Sequence, residues 1–304
     1  MLRPFELHRP TSAAEACDLL LSLGEDAVPY AGGTELLLLM KEGLLRPRHL
    51  VDIKRIAELG TIREANGHLV IGATVTHRTV ERSAVVGARV PVLSAVARHV
   101  ANVRVRNVGT VGGNLAFADP HSDLATLFLA LDASVELVSP RGRRAIALDA
   151  FVRGPWDTAR AADELLTSVS VTPWPGLTAA AYVKFGLYER PTLGIAVALH
   201  LEAHGGRVRV ADARVAIGCV NPCPARAGDA ESRLRGLDVA DLPDAARAVA
   251  ERAAASADPA DDLHGSADYK REMVAVFTRR ALEIATARAR GVEPSARYQH
   301  AVVA

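Results

Sequence analysis

The run Thr172-Pro173-Trp174-Pro175-Gly176 cannot lie inside a helix or a central strand. Its two prolines lack backbone donors and fix φ, and its glycine adds freedom that a regular element would have to give up. The break divides a chain of 304 residues into two stretches, each long enough to close a core of its own. Two domains with a boundary near residue 175 is therefore the simplest reading. Downstream, strand patterns over 180–185, 194–203 and 208–218 precede helical patterns over 245–255 and 268–289. His204-Gly205-Gly206 turns the last two of those strands into a hairpin.

The upstream stretch alternates short strands with short helices. Residues 11–24 read as a helix capped by Thr11 or Ser12, with Glu15 at the box position and Gly24 ending it. Residues 27–31 form a strand running into Gly32-Gly33, and 34–42 a helix stopped by Gly43. Strands follow at 49–53 and 69–73, then helical stretches from 80 and over 90–100. The polar, glycine-punctuated segment 104–113 reads as loop. A buried helix over 124–132, capped by Ser122 or Asp123, precedes a hairpin of 134–138 and 144–148 around Pro140-Arg141-Gly142-Arg143. The tail from Gly291 is expected to be loose.

Charge and composition exclude several functions. With 36 basic against 35 acidic residues, the net charge of +1 lacks the basic surface of a nucleic-acid reader. An aromatic content of 4% gives no platform for stacking single strands. Cys17, Cys219 and Cys223 cannot make a disulfide framework, so a reducing compartment is expected. The longest apolar runs, such as 36–40, fall far short of the ~20 residues that span a bilayer. Glu6, His8, Glu15 and Asp18 leave no signal-peptide core near the start. A cytoplasmic protein follows, with the inner face of the membrane open as its location. Only Lys41, Lys54, Lys184 and Lys270 are lysines, so a lysine beside a candidate site is informative.

Two glycine motifs carry the main chemical signal. In Pro29-Tyr30-Ala31-Gly32-Gly33-Thr34-Glu35-Leu36, a strand enters two glycines and a helix opens at Thr34. Backbone N–H groups and a helix start then converge on one spot, which suits an anion. In Thr110-Val111-Gly112-Gly113-Asn114-Leu115, glycines again permit close approach, with Thr110 and Asn114 as side-chain donors. Positive φ is expected at Gly33 and Gly113. Each motif alone is equally a tight turn, but two in one domain suit the two phosphates of a dinucleotide. Neither has the spacing of a Rossmann fingerprint or a P-loop.

The ordered set of motifs resembles a known family. Ala31-Gly-Gly-Thr-Glu35 and Thr110-Val-Gly-Gly-Asn114, followed by Asp119-Pro-x-Ser-Asp123, are similar to the FAD-binding medium subunits of molybdenum hydroxylases. That group includes the xanthine dehydrogenase and carbon monoxide dehydrogenase types. Phe5-x-x-His-Arg-Pro-x-Ser12, Val51-Asp-Ile53, Ile71-Gly-Ala-Thr74, Ala181-Tyr-Val-Lys-Phe185 and Tyr269-Lys-Arg-x-Met273 extend the likeness over nearly the whole chain. The resemblance implies an α+β fold: a two-subdomain PCMH-type FAD-binding domain over 1–175, with subdomains of about 1–57 and 58–175. A smaller C-terminal α+β domain over 176–290, an antiparallel sheet with helices, and a 291–304 tail complete it. It also implies that both glycine motifs hold the FAD pyrophosphate, from Tyr30 to Leu36 and from Thr110 to Asn114. Asp123, Lys184 and Leu166 match further cofactor positions, with Asp123 and Lys184 contributed by different domains.

Departures from the family pattern bear on the substrate rather than the flavin. Thr34-Glu35 stands where carbon monoxide dehydrogenase medium subunits carry His-Ser, and the loop 186–194 replaces a more basic one that ends in aspartate. Three cysteines cannot supply the four-cysteine cluster loop of the 4-hydroxybenzoyl-CoA reductase type. No residues read as a metal site or as catalytic groups. His200-Leu-Glu-Ala-His204 has zinc-like spacing but lies at a hairpin tip, Cys219 and Cys223 lack two further ligands, and His121-Ser122-Asp123 are sequence neighbours that cannot form a relay.

The function this implies is an oxidoreductase subunit that carries electrons from [2Fe–2S] clusters through FAD to an external acceptor. The clusters would belong to a small partner subunit and the molybdopterin to a large one, in a dimer of heterotrimers. The loop 186–194 is expected near the small subunit. A self-contained FAD-dependent oxidoreductase of the same fold is the alternative, and a nucleotide-binding scaffold with purely structural glycine turns the third.

Overall fold

The structure is a computed structural model describing residues 2–186, 190–295, 298 and 301–304. Residues 187–189, in the loop expected near the small subunit, lie outside it. Contacts group the chain into two units: residues 1–118 with 133–172, and 119–132 with 173–304. The segment around Asp123 thus belongs with the C-terminal half.

The first unit begins with β1 (Glu6–His8), α1 (Ala13–Leu23), β2 (Ala27–Tyr30), α2 (Leu36–Glu42) and β3 (His49–Asp52). Ser12 caps α1 by accepting from the Glu15 N–H, and Gly43 ends α2 in the left-handed region. The strands form a parallel sheet in the order β1-β3-β2. A second, antiparallel sheet is built from β4 (Ile62–Ala65), β5 (His68–Gly72), β6 (Ser134–Ser139), β7 (Gly142–Ala147) and, beyond α9 (Leu148–Phe151), β8 (Val152–Gly154) and β9 (Asp157–Thr158), from β10 (Leu165–Val171). Its order is β4-β5-β10-β6-β7, while β8 and β9 pair separately. α1 joins the two sheets, because Ala13, Ala16, Cys17 and Leu20 share a core with Val51, Ile53, Val138 and Leu165.

Five helices lie between β5 and the residues of the second unit: α3 (His77–Arg82), α4 (Ala84–Arg89), α5 (Pro91–Arg98), α6 (Val103–Val108) and α7 (Val111–Phe117). The last two overturn the expected loop over 104–113. Asn102 accepts from the N–H groups of Arg104 and Val105 and starts α6. Thr110 accepts from Gly113 N–H and starts α7. Glycine weakens a helix interior by about 1 kcal/mol, but Gly112 and Gly113 stand in a capped first turn that the fold holds in place.

In the second unit, α8 (Asp123–Ala130) packs on an antiparallel sheet of β11 (Leu177–Phe185), β12 (Leu193–His204), β13 (Arg207–Gly218), β14 (Ala225–Arg226) and β15 (Ala301–Val303). The sheet order is β14-β13-β12-β11-β15. α10 (Gly228–Leu234), α11 (Leu242–Ala255) and α12 (Ala267–Ala289) close a core around Ile195, Val197, Val215, Leu242, Phe277 and Leu282. Glycine at 218 lets α8 sit close, since a Cβ there would overlap Thr126 Oγ1. The expected loose tail is corrected at its end. Ala301–Val303 pair with β11, and Tyr182 and Ala304 exchange two backbone hydrogen bonds of 2.8 Å. No helix among the described residues is long and apolar enough to cross a membrane.

Candidate functional site

The end of β2 shapes the first glycine motif. Gly33 has φ +72°, and a Cβ there would lie 2.5 Å from the Tyr30 ring. A Cβ on Gly32 would lie 2.8 Å from Gly109 Cα and overlap the Val108 carbonyl oxygen. The first motif therefore rests against the backbone that leads into the second. Among the described residues, the N–H groups of Gly32, Gly33 and Thr34 have no acceptor in the chain. They are half-buried donors at a strand-to-helix turn, the arrangement that binds anions.

Lys54 completes this end of the site, and the sequence reading missed it. β3 lies parallel to β2, with Asp52 paired to Tyr30. Asp52 Oδ1 accepts from the Lys54 backbone N–H at 3.1 Å and lies 2.9 Å from Lys54 Nζ. Nζ also donates to the Ala31 carbonyl at 3.3 Å and sits 3.5 Å from the Tyr30 ring centroid. A cation is thus fixed beside the unspent donors. The available signal was the scarcity of lysine, one of which directly follows Val51-Asp-Ile53.

The second motif is used differently. Val111 N–H donates to Val75 O, Gly112 N–H to Ala73 O, Gly113 N–H to Thr110 Oγ1 and Asn114 N–H to Thr110 O. All four donors are already satisfied within the chain. Gly112 is required by closeness, because a Cβ would stand 2.5 Å from Ala73 Cβ. Gly113 does not have the expected positive φ, and its Cβ would meet only Thr110 Oγ1, at 2.7 Å. What this motif offers a ligand is bare backbone surface at the exposed Gly113. His77 is fixed by its own N–H to Gly109 O, just before the motif, and burial beside Arg106 lowers its pKa to about 4.

Leu166 is buried on β10, paired with Leu137 of β6. Asp123 and Lys184 both lie in the second unit, in one polar cluster. Lys184 Nζ donates to Asp123 Oδ2 at 2.7 Å, and Tyr182 Oη donates to Asp123 Oδ1 at 2.9 Å. Ser122 rather than Asp123 caps α8, accepting from Ala125 N–H. Burial and the Asp123 charge hold the Tyr182 hydroxyl well above its ordinary pKa, and the same causes raise the Cys219 thiol.

The three groupings set aside in the sequence have the following surroundings. His200 lies on strand β12, donates to Pro175 O at 2.9 Å and stacks on Trp174. Cys219 and Cys223 are free thiols. His121 Nδ1 is 2.8 Å from Pro191 O, while Ser122 is engaged as the cap.

Unspent N–H donors, an adjacent lysine and glycines with no room for a Cβ fit a phosphate-bearing cofactor such as FAD. Known proteins agree. The FAD binding domain in molybdopterin dehydrogenase matches residues 3–174, and the CO dehydrogenase flavoprotein C-terminal domain matches 189–285. The carbon monoxide dehydrogenase medium chain of Hydrogenophaga pseudoflava is 38% identical over 93% of this chain and 98% of its own. The nicotine 6-hydroxylase medium subunit of Paenarthrobacter nicotinovorans is 36% identical over 92% and 96%. A solved structure of the Hydrogenophaga pseudoflava carbon monoxide dehydrogenase superposes with a TM-score of 0.88 at 38% identity, covering 95% of this chain and 99% of that one. An α+β chain with these two domains, this glycine site and these relatives belongs to the FAD-binding medium subunits of the molybdenum hydroxylases.

Proposed function

We propose that the chain is the electron-transfer subunit of a cytoplasmic multi-subunit molybdenum hydroxylase. It would stand between [2Fe–2S] clusters of a small subunit and an external acceptor, with substrate oxidised at molybdopterin in a large subunit. A dimer of such heterotrimers is the assembly we expect. The observation that carries this reading is the set of unspent donors at Gly32, Gly33 and Thr34 beside Lys54.

When bound, FAD supplies exchange between one-electron and two-electron partners. The chain's own task is to bind and orient. Gly32, Gly33 and Thr34 donate to the pyrophosphate, and Lys54 balances its charge. Tyr30, Ala31, Glu35 and Leu36 shape the surrounding turn. Thr110, Val111, Gly112, Gly113 and Asn114 present the second surface. Leu166 is a further contact of the first unit with the same cofactor. No side chain is given an acid or base role.

The test is purification of the tagged chain from its native host in mild salt. Iron, molybdenum and two further chains in fixed ratio are the expected result. A monomer that oxidises a substrate with FAD alone would replace this reading with a self-contained flavin oxidoreductase.

A further inference from the structure

We infer that Glu6, His8 and His49 form a site for one tetrahedral divalent transition-metal ion, with Zn2+ the best fit. The three residues are far apart in sequence and are brought together by strand pairing. β1 and β3 run parallel, with Glu6 opposite His49. His8 lies two residues beyond Glu6, so both project from the same face of β1. All three ligand atoms fall within 4.8 Å of one another.

The separations lie near those that a bound metal imposes. His8 Nε2 and His49 Nδ1 are 3.1 Å apart. Glu6 carboxylate oxygens lie 3.6 Å from His49 Nδ1 and 3.9 Å from His8 Nε2. Tetrahedral zinc with bonds of about 2.0–2.2 Å holds its ligand atoms roughly 3.3–3.6 Å apart. Shifts of a few tenths of an ångström would therefore seat an ion. The imidazoles are mostly buried, with side chains 18% and 22% exposed, whereas Glu6 is 67% exposed. The histidines are thus pre-positioned, and the solvent side stays open for a water as fourth ligand. Two imidazoles and one carboxylate suit zinc and its neighbours, not the oxygen-seeking Mg2+ or Ca2+.

Such an ion would clip β1, a three-residue edge strand, to the central strand β3. The site lies on the far side of β3 from β2, whose end forms the glycine turn. Its failure and that of the flavin reading are therefore separable.

The experiment is a Zn2+ titration of the untagged, chelator-treated full chain, read by calorimetry and by melting temperature. We expect one ion per chain and an upward melting shift. Both should be lost in His8→Gln and His49→Gln and kept in His68→Gln, with FAD content equal in all. Glu6 is exposed, so Glu6→Gln guards against misfolding as an explanation; its Zn2+ affinity should fall about tenfold or more. No uptake by the parent chain, an unchanged Zn2+ affinity in Glu6→Gln, or uptake that survives the paired histidine replacements would overturn the site.

Discussion

A methyl group on Gly32 would stand 2.8 Å from Gly109 Cα, so the first glycine motif abuts the bare backbone that leads into the second. The obstacle is main chain on both sides, which cannot rotate away as a side chain does. Gly32→Ala should therefore push the motifs apart, destabilise the fold by about 1–3 kcal/mol and lower the FAD retained per chain. Flavin absorbance and thermal melting check both effects. Gly113→Ala meets only the Thr110 hydroxyl and should retain far more flavin.

Lys54 is held by Asp52, Ala31 and Tyr30 beside the unspent donors of the first turn. Charge-assisted hydrogen bonds contribute about 1.5–3 kcal/mol, so Lys54→Gln should weaken FAD binding by roughly tenfold or more. The salt dependence of binding should also become shallower. Unchanged affinity would confine Lys54 to steadying Asp52.

Lys184→Ala leaves the buried Asp123 carboxylate with only the Tyr182 hydroxyl of the two donors described above. Removing one partner of a buried pair costs about 3 kcal/mol or more. The free chain should melt several degrees lower. A melting temperature equal to the parent's would show that the pair adds no stability.

His77 titrates near pH 4 in the fold and near its ordinary 6.5 when unfolded. Above pH 6.5 both states are neutral there and the group is silent. As pH falls from about 6.5 to 4 the unfolded chain takes up a proton that the folded chain refuses, so stability drops. The loss approaches about 3 kcal/mol at pH 4. Denaturant melts at pH 7 and pH 5 should show it, and His77→Gln should flatten the difference.

Much of this architecture was legible because it is local. Ser12, Gly24 and Gly43 mark helix ends by cap chemistry that depends on a few neighbouring residues. The hairpins announce themselves by alternation and turn residues. What the sequence hid depends on partners distant in the chain. Gly112 and Gly113 look like loop until Val75 and Ala73 accept the first two N–H donors of α7. Lys54 becomes a site residue only because β3 pairs with β2. Glu6, His8 and His49 meet through the register of β1, and the end of the tail is ordered by β11. The first motif was read as an anion site from its glycines; its neighbour Lys54 needed the sheet.

α8 has all eight of its residues buried, although it lies more than forty residues before the Pro-rich break. Its cover comes from β12 and β13, beyond that break. A fragment ended near residue 175 would uncover the face of α8 that Thr126 presents to Gly218 and would leave the buried Asp123 carboxylate without Tyr182 and Lys184. The flavin-binding half is thus poorly suited to excision or to grafting as a portable module. Any transplant must carry the C-terminal sheet along with it.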